Sequence, residues 1–138
     1  MSTEREVSYG GVVVRGDKVL VIVPRGRRRV LGLPKGGQNP GESPEQTAAR
    51  EVREETGVVA RVRDPLGQVD YSYRRGGRRI DKTVHFYLFD YETGDTADHD
   101  HEVDDARWIP LRQARRRLSY PGERAMIDRA LSILAANG

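Results

Sequence analysis

The residues from Ser43 to Gly57 specify a helix and also what must lie against it. Ser43 is a good N-cap, Pro44 suits the first helical position, and Gln46 completes a capping box with Ser43. Gly57 stands where a left-handed residue ends a helix. Ala48, Ala49 and Val52 make a narrow apolar stripe that can pack on a sheet. At 3.6 residues per turn, Glu51, Glu54 and Glu55 fall within one arc of about 100°. That arc borders the buried stripe, so packing the helix holds the carboxylates at the rim of a cleft. Like charges at this spacing cost a few tenths of a kcal/mol each. Arg50 and Arg53 compensate part of that repulsion.

The flanking sequence supplies the sheet. "GGVVVRGDKVLVIV" reads as a β-hairpin turning at Arg15 to Lys18, and "RVLGL" as a short strand after an arginine-rich loop. Pro34 to Gly41 reads as loop, being dense in Gly and Pro. "VVARVRDPLGQVDYSY" and "RIDKTVHFYLFDY" form two strands around Gly76-Gly77. In the second, Ile80, Lys82, Val84, Phe86 and Leu88 share one face, and Thr83, His85, Tyr87 and Phe89 the other. Both faces are apolar near the middle, which predicts an inner strand covered on both sides. "GDTADHDHEVD" reads as an acidic loop and "ARWIPL" as a final strand, with Trp108 in the core. A helix from about Pro121 to Ala136 presents Ala125, Met126, Ala130, Leu131 and Leu134 as its apolar stripe. The expected fold class is α/β, one mixed sheet flanked by helices.

A chain of 138 residues can bury roughly 70% of its unfolded surface, so residues 1–138 read as one domain with its own core. Cysteine is absent, which excludes disulfides, thiolate metal sites and cysteine nucleophiles. No apolar run approaches a membrane span and "MSTEREVSYG" lacks a signal peptide's apolar segment, so the expectation is a soluble, cytoplasmic protein. Formal net charge is +3, small for a nucleic-acid binder. The only lysines are Lys18, Lys35 and Lys82; arginine supplies the remaining basic residues. Arg25, Arg27, Arg28 and Arg29, with Arg74, Arg75, Arg78 and Arg79, are candidates to surround an anionic ligand. Arginine-favouring codon usage explains the bias equally well.

A glutamate-rich helix alone is ordinarily a solvated face. Three hard carboxylates opposite a loop with free backbone carbonyls form an oxygen cage suited to Mg²⁺ or Mn²⁺. Such an ion draws the acidic face together and presents a cation to phosphate oxygens.

Gly36, Glu42 and the run Arg50-Glu51-Val52-Arg53-Glu54-Glu55-Thr56-Gly57-Val58 reproduce the Nudix box over residues 36–58. Given residue frequencies of several per cent, a chance match is rarer than roughly one in a million. The sequence resembles the Nudix (MutT-like) hydrolases over most of its length. The resemblance implies the Nudix fold, an α/β/α sandwich around a mixed sheet, and hydrolysis of a nucleoside diphosphate linked to another moiety. It implies that Glu51, Glu54 and Glu55 hold a divalent ion, Mg²⁺ or Mn²⁺, and that Arg50 orients a neighbouring glutamate. It implies further that the Lys35 carbonyl joins the metal and that Glu102 supplies another ligand or the general base. The catalytic set is then Glu54, Glu51, Arg50 and Glu102. A glutamate takes the proton from the attacking water, and basic side chains steady the leaving phosphate.

"LPKG" resembles the branch that cleaves dinucleoside polyphosphates such as diadenosine tetra- or hexaphosphate. The chain departs from that branch at Leu31, where an aromatic residue is common. Arg25, Arg27, Lys35, Lys82 and Tyr73 are the candidate substrate-binding residues, with Tyr71 and Tyr87 as further stacking surfaces. Together they favour a long, highly charged polyphosphate; (oxidised) nucleoside triphosphates and diphosphoinositol polyphosphates are the alternatives. His99 and His101 read as members of a polar loop. A non-catalytic nucleotide sensor is disfavoured by the intact box, and a nucleic-acid partner by the scarcity of aromatic residues among the arginines. The partner expected is a small-molecule nucleoside polyphosphate, with no membrane, and a homodimer stays open.

Overall fold

The computed structural model describes residues 3–137. Strand β1 (Thr3–Arg15) turns through Gly16-Asp17 into β2 (Lys18–Pro24), as the hairpin reading expects. After β3 (Lys35–Gly37) comes helix α1 (Pro44–Thr56). Long strands β4 (Val58–Arg75) and β5 (Arg78–Gly94) follow, joined at Gly76-Gly77. A 3₁₀ turn (Thr96–Asp98), β6 (Val103–Pro110), α2 (Leu111–Arg117) and α3 (Pro121–Asn137) complete the order. The six strands make one mixed sheet, ordered β4-β5-β1-β2-β6 with β3 against β1. β1 and β5 run parallel; every other pairing is antiparallel.

Strand alternation distributes the core to two faces. Val12, Val14, Val19, Val21, Val84, Phe86 and Leu88 face Ala114 of α2 and Met126, Ile127 and Ala130 of α3. Val13, Leu20 and Phe89 face the other way, onto Ala48 and Val52 of α1. The result is the α/β/α sandwich, with β5 an inner strand covered on both sides. Among the described residues no helix is long and apolar enough to cross a membrane.

Four local expectations are corrected. "RVLGL" is not a strand: only Gly32 bridges to Ile22, and the Leu31 amide and carbonyl bond Ser119 instead. Lys35–Gly37 inside the expected loop is a strand, because it can reach the β1 edge left free between Ser8 and Gly10. The α3 stripe excludes Ala125, which is exposed, and includes Ile127 and the carboxylate of Glu123. Trp108 lies half-buried at the rim, edge-on to Tyr91 and below Arg15, where its large ring is covered by an aromatic and a cation. Helix α2 has no counterpart in the sequence reading; it is a short arginine-rich segment anchored by Leu111 and Ala114.

Candidate functional site

Helix α1 begins and ends as its sequence dictates. The Ser43 hydroxyl accepts from the Gln46 amide at 3.1 Å, and the Gln46 side chain accepts from the Ser43 amide at 2.9 Å. Gly57, at φ 77°, donates to the Arg53 carbonyl at 2.8 Å and stops the helix. Seating Ala48 and Val52 on the sheet fixes the helix rotation, and with it the direction of the acidic face.

The carboxylates on that face occupy three different environments. Glu55 is buried and accepts from the Lys35 amide at 3.3 Å. Burial, reinforced by the charge of Glu51, pushes its carboxyl up to about 8. Glu51 is mostly buried, its side chain 13% exposed, and lies over Gly36 where a Cβ would collide with it. Burial raises Glu51 as well, Arg50 opposes this, and Glu54 and Glu102 add to it. Glu54 is the accessible member, its side chain 40% exposed.

Arg50 answers the repulsion in this structure. Its Nη1 meets Glu51 at 2.5 Å and both oxygens of Glu54 at 3.0 and 3.1 Å. Its Nε and Nη2 grip Glu42 at 2.7 and 3.1 Å, and Nη2 also reaches the Gly37 carbonyl at 2.7 Å. Arg50 therefore clamps the loop to the helix. Glu42, bonded first to Arg50 and then to the Asn39 amide, is held well below the usual carboxylate range, at about 2. Glu42 belongs to the sequence motif, but its partners become visible only in the fold.

The late loop closes over this face. The Asp100 amide donates to the Glu54 carbonyl at 2.9 Å, and the Glu102 amide to the Asp100 carboxylate at 3.0 Å. The Glu102 carbonyl accepts from the Arg25 amide at 3.3 Å, so the arginine loop and Glu102 are neighbours. Arg25 and Arg27 are exposed, and among the described residues neither enters an ion pair. The His99 ring turns onto the adjacent Asp100 carbonyl, and His101 is exposed.

The remaining candidates divide. Lys82 lies opposite Tyr71 across β4 and β5. Burial, then the nearby charge of Lys35, lowers it. Tyr73 is drawn away: its hydroxyl donates to Glu6 at 2.7 Å. Three of the arginines grouped around an expected anionic ligand are already paired: Arg75 with Glu6, Arg78 with Glu4 at 2.6 Å, and Arg79 with Asp81 at 2.8 Å. Glu4 and Glu6 of β1, and Asp81 of β5 itself, thus neutralise part of the hairpin tip. Lys35 has its amide on Glu55 and its ammonium 3.5 Å from Glu123, below the Tyr120 ring. Glu123 and Tyr120 escaped the sequence reading, since an acidic residue in the first turn of a helix looks like a solvated cap.

The donors on this face suit a hard divalent ion: oxygen atoms alone, desolvated, repelling one another and held close to backbone by a glycine. With Arg50 drawn between Glu51 and Glu54, no three such side chains among the described residues converge as one ligand set.

Comparison with known proteins follows the same lines. A family model described as NUDIX domain matches residues 4–130. A putative mutator protein MutT4 of Mycobacterium tuberculosis is 41% identical over 137 residues, covering 93% of this chain and 55% of that protein. An 8-oxo-(d)GTP phosphatase of Mycolicibacterium smegmatis is 34% identical over 122 residues, covering 88% and 36%. The chain thus spans about half or less of these curated relatives. A solved NUDIX hydrolase from Nitrosomonas europaea superimposes with a TM-score of 0.76 at 24% identity, over 94% of this chain and 90% of that one.

Proposed function

The chain belongs to the NUDIX domain family, and from that premise we propose that it is a metal-dependent hydrolase cleaving a phosphoanhydride bond of a nucleoside polyphosphate. The observation that carries this reading is the buried, mutually repelling pair Glu51 and Glu55, packed on the backbone of Gly36 and Lys35. Such a pair is unfavourable without a cation, and its position beside open, arginine-rich surface suits a phosphate chain.

Glu51, Glu54, Glu55 and the Lys35 carbonyl would hold Mg²⁺ or Mn²⁺, with Glu102 as a further ligand or base. When bound, the ion would neutralise phosphoryl charge and lower the pKa of water. Glu54 is accessible enough to receive a proton from the attacking water. Arg50 fixes the carboxylate positions, while Arg25, Arg27 and Lys82 would steady the substrate's phosphates. Tyr71 offers its exposed ring to a base more readily than Tyr73, whose hydroxyl is held by Glu6.

The substrate class we favour is a nucleoside triphosphate, including oxidised purine forms. Three hairpin arginines are already paired with Glu6, Glu4 and Asp81, which leaves fewer free cations for a longer polyphosphate. The names of the two curated relatives point the same way. A dinucleoside polyphosphate is the second reading, favoured by the unpaired arginine loop beside Glu102.

The test is to supply the chain with Mg²⁺ or Mn²⁺ and a panel of substrates. The panel comprises 8-oxo-dGTP, GTP, diadenosine tetraphosphate, a nucleotide sugar and a diphosphoinositol, with products separated by chromatography. A metal-dependent monophosphate from the triphosphates is expected, with Glu54→Gln slower by about 10²- to 10⁴-fold. Cleavage of none, or unchanged turnover by a folded Glu54→Gln, would sink the reading.

A further inference from the structure

We propose that Glu123, from the first turn of α3, is a positioning residue that holds the Leu33–Lys35 segment against the acidic helix. This inference rests on the hydrolase reading given above.

Glu123 is 3% exposed, while the other buried residues of α3, Met126, Ile127 and Ala130, are apolar. A carboxylate in such a place stabilises less than an aliphatic side chain would, unless its geometry is needed. Both of its oxygens are engaged. Oε1 accepts from the Leu33 amide at 2.9 Å, and Oε2 faces the Lys35 ammonium at 3.5 Å.

The Leu33 side chain is buried in the core, but the backbone donors of the segment have few other partners. Leu33 lies outside any strand, Pro34 has no amide to donate, and ladder pairing begins only at Lys35. The Pro34 carbonyl accepts from Gly11 at 3.1 Å, and the Lys35 amide then donates to Glu55. A continuous line of contacts therefore runs from α3, through three consecutive residues, to a carboxylate of α1 on the opposite face of the sheet. Glu123 takes the part of the missing strand neighbour for Leu33. By holding the Leu33 amide and the Lys35 ammonium at once, it fixes where the Lys35 carbonyl and Glu55 stand.

The experiment compares the full chain with Glu123→Ala, Glu123→Gln and, as a control on the exposed side of the same helix, Asp128→Asn. Four quantities are read well below the unfolding midpoint: kcat, KM, Mn²⁺ affinity by calorimetry without substrate, and hydrogen exchange of the Leu33 amide. Glu123→Ala is expected to lower kcat and Mn²⁺ affinity by about 10- to 100-fold, with KM moving far less and the Leu33 amide exchanging faster. Glu123→Gln keeps an acceptor for Leu33 but no charge for Lys35, so its losses should be several-fold. Asp128→Asn should match wild type.

A folded Glu123→Ala with wild-type kcat and Mn²⁺ affinity overturns the proposal. If that variant does not fold, wild-type values in Glu123→Gln overturn it instead. A wild-type chain that neither takes up Mn²⁺ nor hydrolyses any substrate sinks the hydrolase reading. The exchange rate of the Leu33 amide then decides the Glu123 contact by itself.

Discussion

Gly36 is the residue on which the acidic face rests. Its φ lies outside the left-handed region, so alanine suits the backbone, and the conflict is purely with the Glu51 carboxylate. Gly36→Ala is therefore expected to shift that carboxylate while leaving the fold in place. Misplacing a group by about 1 Å can lower turnover roughly 10²-fold. A fall of that order is predicted, with the unfolding free energy from urea titration changed by less than ~1 kcal/mol. A folded Gly36→Ala with wild-type turnover would show that the Glu51 position is unimportant. At this scale the sequence was half legible. Helical spacing placed Glu51, Glu54 and Glu55 together, and the box named Arg50. It could not reveal that Glu51 lies on Gly36, or that Glu123 bonds Leu33 from 90 positions away. Such pairs leave no periodic mark in the chain.

Helix α1 is where reading and structure agree best, because capping is local chemistry. Removing the Ser43 hydroxyl orphans the Gln46 amide, so Ser43→Ala should destabilise the chain by about 1 kcal/mol in urea unfolding. Gly57→Ala should cost more. An alanine there must adopt φ near 77° and would also meet the Asp95 carbonyl. Equal stability of both variants with wild type would refute the cap assignments. Since the second cap also sets where Glu54 meets Asp100, Gly57→Ala should slow turnover as well. The neighbouring elements were less legible for a complementary reason. β3 exists only because the β1 edge is free beside it, and "RVLGL" fails as a strand because its bonds go to Ser119 and Glu123. α2 is too short and too basic to carry a helical pattern of its own.

The whole molecule combines opposing charge effects. Glu6, Glu42, Asp70 and Asp81 are each held below the ordinary carboxylate range by hydrogen-bonding partners. A depressed group contributes stability above its unfolded value and loses it as pH falls through the folded one. For Glu42 that window runs from its ordinary 4.5 down to about 2. The metal-free chain should accordingly melt at lower temperature as pH falls across this range, and Glu42→Gln should flatten the decline. An identical decline in the variant would remove Glu42 as a contributor. The buried carboxylates act in the other direction. Glu55, raised to about 8, favours the folded state below 4.5 and ceases to do so as pH climbs through 8. The layered architecture was readable from alternation in β5 and the stripe of α1, whereas strand order was not, since pairing partners are chosen across the chain. The parallel match of β1 with β5 has an outcome during synthesis. The valine-rich strand β1 is translated well before β5, its longest neighbour. Until then that adhesive edge is open to other nascent polypeptides, so shielding by a chaperone would matter most in the interval before β5 emerges.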